Sequence, residues 1–169
     1  MTDERIGDAL WPALARLPRG AGVVFRHYGL PLAERKRLFA RVRRIARARG
    51  LVLVRAGQDR LGREDGTHNA AGRGLRTRSA HSRNDAIAAQ RAGADAVFVS
   101  PVFATRSHPG ASALGRVRLG LLVRGLKVPV IALGGITPAR AATLERMGLY
   151  GWAAIDAWLP DQKRNAVPT

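Results

Sequence analysis

The sequence predicts an α/β fold of parallel βα units, and three observations lead to it. From residue 21 onward, short apolar runs alternate with stretches of helical periodicity. Two of those runs, ADAVFVSPVF at 94–103 and VPVIAL at 128–133, are too continuously apolar for a sheet with one wet face, so both faces must be covered. The third is the stretch Val128 to Arg140, VPVIALGGITPAR, which joins a buried strand, a double-glycine turn and a capped helix start.

In order along the chain, Asp8 to Leu17 carries Leu10, Trp11, Leu14 and Leu17 at helical spacing, with Pro12 in the first turn and Pro18 as the stop. Ala21 to Tyr28, AGVVFRHY, is rich in β-branched and aromatic residues and reads as a strand ended by Gly29-Leu30-Pro31. The arginine-rich helix that follows runs to Gly50. Its Leu32, Leu38, Phe39, Val42, Ile45 and Ala46 fall on one side, which assigns the arginines to a solvated face. Leu51 to Val54 is a short strand. Arg55 to Gly74 holds five glycines among many charges, and there only Gly66 to Asn69 reads as a brief strand. Leu75 to Ser79 is the next strand, Ser82 caps a helix bearing Ala86, Ile87, Ala89 and Ala92, and 94–103 is a buried strand. A polar loop covers 104–115 and a helix covers 117–126. After the strand at Val128, a helix over 138–147 ends at Gly148, and Trp152 to Trp158 is the last strand. Residues 1–159 are expected as one domain, with 160–169 as a polar tail. Periodicity leaves barrel and open sheet undecided.

The double glycine is where a ligand is most readily imagined. Lacking Cβ, Gly134 and Gly135 tolerate positive φ and close approach to the backbone, Thr137 is a good N-cap and Pro138 suits the first helical position. Backbone N–H groups there favour an anion such as phosphate. A strand-to-helix turn without a ligand fits the same residues, and the stretch alone leaves both open.

Composition removes several classes. There is no cysteine, so disulfides, thiolate catalysis and cysteine-based zinc sites are excluded. No apolar run reaches membrane-spanning length and MTDERIGDAL lacks a signal-peptide core, which makes a cytoplasmic protein the default expectation. The net charge of +17 raises nucleic-acid binding. Against it, nearly all the charge is arginine, with Lys36, Lys127 and Lys163 as the lysines, and the stacking aromatics of single-strand binders are lacking. His27, His68 and His81 match no compact metal site, and neither a nucleophile elbow nor a Walker loop is present.

Several strand-end loops match one family. VFVSPVFATRSHPGASALG (97–115), PVIALGGITPARAATLERMG (129–148) and GWAAIDAW (151–158) resemble thiamine phosphate synthase and its relative, the thiazole tautomerase, whose sequences carry GPIFPT, then TKK and LG, then PVVAIGGI and GVAVISAI. TDER at 2–5 resembles the end of the family's first strand. The resemblance implies a TIM-type (β/α)8 barrel lacking most of its first strand, whose exposed edge would be covered by a second copy in a homodimer or by a neighbouring chain. It implies thiamine biosynthesis and a transferase that joins a hydroxymethylpyrimidine pyrophosphate to a thiazole phosphate, releasing pyrophosphate, with Mg²⁺ and basic residues on the leaving group.

Carried over residue by residue, Arg26 matches the arginine of the family's QLREK motif. Ser79 stands in a serine-x-histidine pattern completed by His81, and His108 takes the position of the first lysine of TKK, placed to donate a proton or bind phosphate. Those three, Arg26, Ser79 and His108, are the expected catalytic residues. Thr105, Ser107, Gly134, Gly135 and Ile136 are the expected phosphate binders. The departures matter as much. Val24 and Tyr28 replace the Gln and Lys of QLREK. Arg55 and Ala56 stand where the family has Asn and its magnesium Asp, and the second metal Asp, expected near Gly72 and Arg73, is missing. Arg55 and Arg73 are candidates to neutralise a pyrophosphate without metal. Asp156 occupies the place of a serine that meets the thiazole phosphate, where it would repel that group unless turned away or neutralised. The tautomerase reading is weakened by Pro101, which stands near the position of that enzyme's glycine and histidine. A divergent, non-catalytic barrel binding a phosphorylated small molecule is the alternative, and an arginine-rich nucleic-acid binder the third.

Overall fold

The computed structural model describes residues 1–105 and 110–159, so the expected tail at 160–169 lies outside the described residues. Two compact units make up the backbone: Met1–Leu75 with the segment beginning at Ile155, and Arg76–Ala154.

In the first unit, residues 4–9 form a 3-10 turn and helix α1 spans Leu10–Arg16. Strand β1 is Gly22–Phe25, helix α2 is Leu32–Arg49, strand β2 is Val52–Ala56 and strand β3 is Gly66–His68. The strands run parallel, with Phe25 beside Arg55 and Ala56 beside His68. Phe25, Phe39, Val42 and Leu53 are wholly buried, and the Phe25 and Phe39 rings meet edge to face at 5.3 Å. Residues 2–5, expected as a strand tail, contribute one ladder bond, Thr2 N–H to the Val24 carbonyl at 2.9 Å, before turning away.

Gly50 ends α2 in the left-handed region (φ 64°). The helix departs from expectation at two places. Leu32 is exposed, and Arg35, assigned to the solvated face, is 2% exposed. Its position is in keeping with the helical repeat, because residue 35 lies four before Phe39 and seven before Val42.

The second unit continues the βα alternation. Strand β4 is Leu75–Ala80, helix α3 is Arg83–Arg91, strand β5 is Ala96–Val99, helix α4 is Gly115–Val123, strand β6 is Val130–Leu133, helix α5 is Pro138–Ala142 and strand β7 is Gly151–Ala153. β4 pairs with β5, β5 with β6 and β6 with β7, all parallel. Val97, Val99, Val102, Leu119 and Ala132 form the centre of the core. Seven strands are found among the described residues, one fewer than a complete eight-unit barrel. The last expected strand is cut short: β7 stops at Ala153 and Asp156–Trp158 is a 3-10 turn. The expected helix over 138–147 is α5 followed by a separate turn, Glu145–Met147.

Side chains fix the entrance of several strands. Asp65 Oδ2 accepts from Leu53 N (2.8 Å), Asp95 Oδ2 from Arg76 N (2.7 Å), and Gln90 Oε1 from both Lys127 N (2.7 Å) and Val128 N (3.1 Å). At α3, Ser82 Oγ accepts from Asp85 N while the Asp85 carboxylate accepts from the backbone of Ser82 and His81, contacts that hold it below the usual carboxylate range. Ser82→Ala is expected to cost about 1 kcal/mol, measured by urea unfolding.

Candidate functional site

The chemistry of a parallel βα fold collects where strands end. After β1 come Arg26, His27 and Tyr28. Arg26 is half-buried, its N–H donates to Thr2 Oγ1 (3.0 Å), and its guanidinium carbon lies 5.9 Å from the Tyr28 ring centroid. Its carbonyl accepts from Arg35 Nε (3.2 Å) and Nη2 (2.8 Å). Arg35 Nη2 also reaches the Ala56 carbonyl (2.8 Å) and Nη1 pairs with Asp59 Oδ2 (2.6 Å). One buried guanidinium therefore ties the end of β1 to the end of β2. Sequence reading missed this residue because it stands in a helix crowded with basic side chains, although the four-residue interval to Phe39 marks it.

His27 is buried at a positive φ of 37°, stacked 4.8 Å from the Phe25 ring, with Nδ1 3.0 Å from Thr2 Oγ1. Burial, more than the nearby Arg35 and Arg26 charges, pushes its pKa below the ordinary 6.5. Below pH 6.5 the unfolded chain takes up this proton more readily than the folded one. The ring's contribution to stability is thus present above that pH and is lost as pH falls through the depressed value. Proton NMR should show one imidazole titrating below 6.5, and His27→Gln should flatten the acid side of the stability profile.

At the end of β2, Arg55 is 3% exposed, and each of its three side-chain nitrogens has a partner inside the protein. Nε pairs with Glu64 Oε1 (3.1 Å), Nη1 donates to the Gly57 carbonyl and Nη2 to the Ala71 carbonyl (3.2 Å). That corrects its candidacy as a pyrophosphate ligand; Arg73 is exposed. After β3, Thr67 Oγ1 donates to the Ala70 carbonyl (3.1 Å) and Asn69 takes a φ of 51°. These bonds explain how a glycine-rich segment without periodicity is held.

In the second unit, Ser79 lies within β4, half-buried and in register with Phe98. His81 Nδ1 lies 2.8 Å from the Ser100 carbonyl. After β5, Pro101 to Thr105 fold back against the end of β6: Val102 N donates to the Leu133 carbonyl (2.9 Å) and Phe103 N to that of Gly134 (3.0 Å). Thr105 is half-buried, while Ser107 and His108 lie outside the described residues.

Gly134 (φ 95°) and Gly135 (φ 61°) need to be glycines for a visible reason. A Cβ on Gly134 would come within 2.8 Å of Pro101 Cα, and one on Gly135 would collide with the Ala104 carbonyl oxygen. Arg140 Nη1 donates to the Gly135 carbonyl (2.7 Å) while its guanidinium stands 5.0 Å from the Phe103 ring, and Thr137 Oγ1 accepts from Arg140 N (3.3 Å). Ile136 is 3% exposed and belongs to the core, which leaves its backbone as the part able to meet a ligand. A cavity of about 690 Å³ lies at the other end of β6, lined by Lys127, Val128, Met147 and Tyr150 among others, away from the glycine turn.

Asp156 opens the last 3-10 turn in the first unit. The Arg5 guanidinium is held in its charged form chiefly by its hydrogen bond to Asp3 (2.8 Å), and the field of Asp156 adds to this.

The residues do not suit a divalent metal. Ala56 is apolar and wholly buried, and no cluster of three His, Asp or Glu side chains with metal-ligand spacing exists among the described residues.

The family model for thiamine monophosphate synthase matches residues 20–158. The thiamine-phosphate synthase of Chloroflexus aurantiacus is 40% identical over 80 residues, 47% of this chain and 37% of that protein. The bifunctional ThiM/ThiE thiamine biosynthesis protein of Symbiobacterium thermophilum is 34% identical over 154 residues, 81% of this chain and 32% of that protein. The chain spans less than half the length of these relatives. Among solved structures, thiamine phosphate pyrophosphorylase of Pyrococcus furiosus superposes with a TM-score of 0.73 at 22% identity, covering 91% of this chain and 82% of that one, which establishes a shared fold. No helix among the described residues is long and apolar enough to cross a membrane. With a model match over most of its length and the motif segments in contact, the chain belongs to the thiamine monophosphate synthase family.

Proposed function

We propose that this protein joins a hydroxymethylpyrimidine pyrophosphate to a thiazole phosphate, in the cytoplasm and as a homodimer. The observation that carries the proposal is the turn at Gly134 and Gly135, locked by the Pro101 to Ala104 segment so that two family motifs form one backbone surface. In this reading the backbone N–H groups of Gly135 and Ile136, with Thr105 and Ser107, hold the thiazole phosphate. Arg26, Ser79 and His108 serve the pyrimidine pyrophosphate. The C–O bond to pyrophosphate breaks with its electron pair leaving on oxygen, and the thiazole nitrogen lone pair forms the new C–N bond. Catalysis then rests on stabilising the departing negative charge, by hydrogen bonds and arginine rather than by chemistry on a covalent enzyme intermediate.

A second reading, binding of a phosphorylated small molecule without turnover, is favoured by the inward commitment of Arg55 and the apolar Ala56. Incubation with both substrates, in EDTA and separately in magnesium, decides between them by chromatography of thiamine phosphate. Product in either buffer supports the synthase reading; its absence in both leaves the binding reading.

A further inference from the structure

The segment between β2 and β4 contains three carboxylates, Asp59, Glu64 and Asp65, and each already has an internal partner. Asp59 Oδ2 pairs with Arg35 Nη1 at 2.6 Å, Glu64 Oε1 with Arg55 Nε at 3.1 Å, and Asp65 Oδ2 accepts from Leu53 N at 2.8 Å. Residues 55–74 also carry four arginines (55, 60, 63 and 73) against those three acids, so their side-chain charge is net positive. Magnesium demands several oxygen donors in near-octahedral geometry and gives up its water reluctantly. Here it would meet an excess of cations, and each of the three carboxylates already has one oxygen engaged by a donor of the protein.

Arg55 is the centre of this arrangement. It stands, with the buried Ala56, where the family resemblance expects Asn and a metal-binding Asp. Its three nitrogens reach Glu64, Gly57 and Ala71, which are widely spaced along the loop. A guanidinium supplies a permanent positive charge and a planar set of donors, and it cannot be lost to a chelator. Gly72 completes the fit: a Cβ there would press into the Thr67 side chain and lie 3.4 Å from Arg55 Nη2.

We infer that Arg55 has replaced the divalent metal as the fixed cation of this loop, so that the chain takes up no Mg²⁺ here and holds a pyrophosphate ligand without one. Arg55 acts as a positioning residue, shaping the 57–72 segment. Neutralisation of the ligand's charge falls to Arg26, which follows β1. The second part rests on the synthase reading; the first does not.

The test uses the whole chain and two probes. Mn²⁺, which stands in for Mg²⁺ and is followed by its solution EPR signal, is added first: the expected result is an undiminished signal up to about millimolar metal, and a saturable loss corresponding to a Kd below that would overturn the inference. Inorganic pyrophosphate is then titrated calorimetrically in EDTA, where saturable binding is expected. Binding that occurs only after metal is supplied would overturn it as well. If pyrophosphate binds under neither condition while Mn²⁺ stays in solution, the synthase reading fails and the absence of a metal site is upheld by the first probe.

Discussion

Arg35→Met is expected to lower the unfolding free energy by about 3 kcal/mol, because it removes one partner of a buried charged network. The melting temperature should fall by roughly 6 to 12 °C for a chain of this size. The loss is not chiefly that of an ion pair. Asp59 is half-exposed, and Asp59→Asn should cost less than about 1 kcal/mol. What Arg35→Met takes away is the donor set for two strand-end carbonyls, Arg26 and Ala56, one of them in a buried bond. Urea unfolding of the two variants measures the contrast. Equal losses would mean that the Asp59 pair, and not the carbonyl contacts, holds the strand ends.

Gly135→Ala should be similarly damaging by another route. The left-handed φ of 61° costs an alanine about 1 kcal/mol or somewhat more, and the Ala104 carbonyl occupies the space its Cβ would need. Displacing the 101–104 segment to relieve that collision would break the bonds of Val102 and Phe103 to the end of β6. A total loss of about 3 kcal/mol is expected, with affinity for the thiazole phosphate of the proposed function reduced by at least about tenfold. Gly148→Ala is the comparison: φ there is 68°, but nothing lies within 4 Å of the added methyl, so only the conformational cost of about 1 kcal/mol should be seen. Denaturant titration and phosphate-ligand calorimetry on the two variants separate backbone strain from crowding.

These two variants also mark what could and could not be read from the chain. The double glycine was legible because an apolar run, two residues without Cβ and a Thr-Pro cap signal fall in succession, each with an independent local cause. Most helices were legible for the same kind of reason, periodicity plus a cap. Arg35 was not: its burial is decided by carbonyls on β1 and β2 that are distant in sequence, and in an arginine-rich helix residue type carries no contrast. The 57–74 segment was opaque because it is held by Arg55, Asp65 and Thr67 through side-chain to backbone bonds, which leave no period. The end of the last strand was misjudged since AIDAW has the same apolar alternation whether it pairs or turns. Among the site residues, Ile136 has its side chain in the core, so its place as an expected phosphate binder falls to its backbone N–H.

The Asp65, Asp95 and Gln90 contacts have a bearing on how such a chain can change. They grip β2, β4 and β6 where those strands begin, whereas the glycine turn, Arg26 and Ser79 sit toward or beyond the finishing ends. Register is therefore secured by one set of residues, and on the proposed function recognition falls to another. Substitutions that retune the ligand need not loosen the scaffold, and a lineage can lose one chemistry and acquire a second while every strand stays in its place.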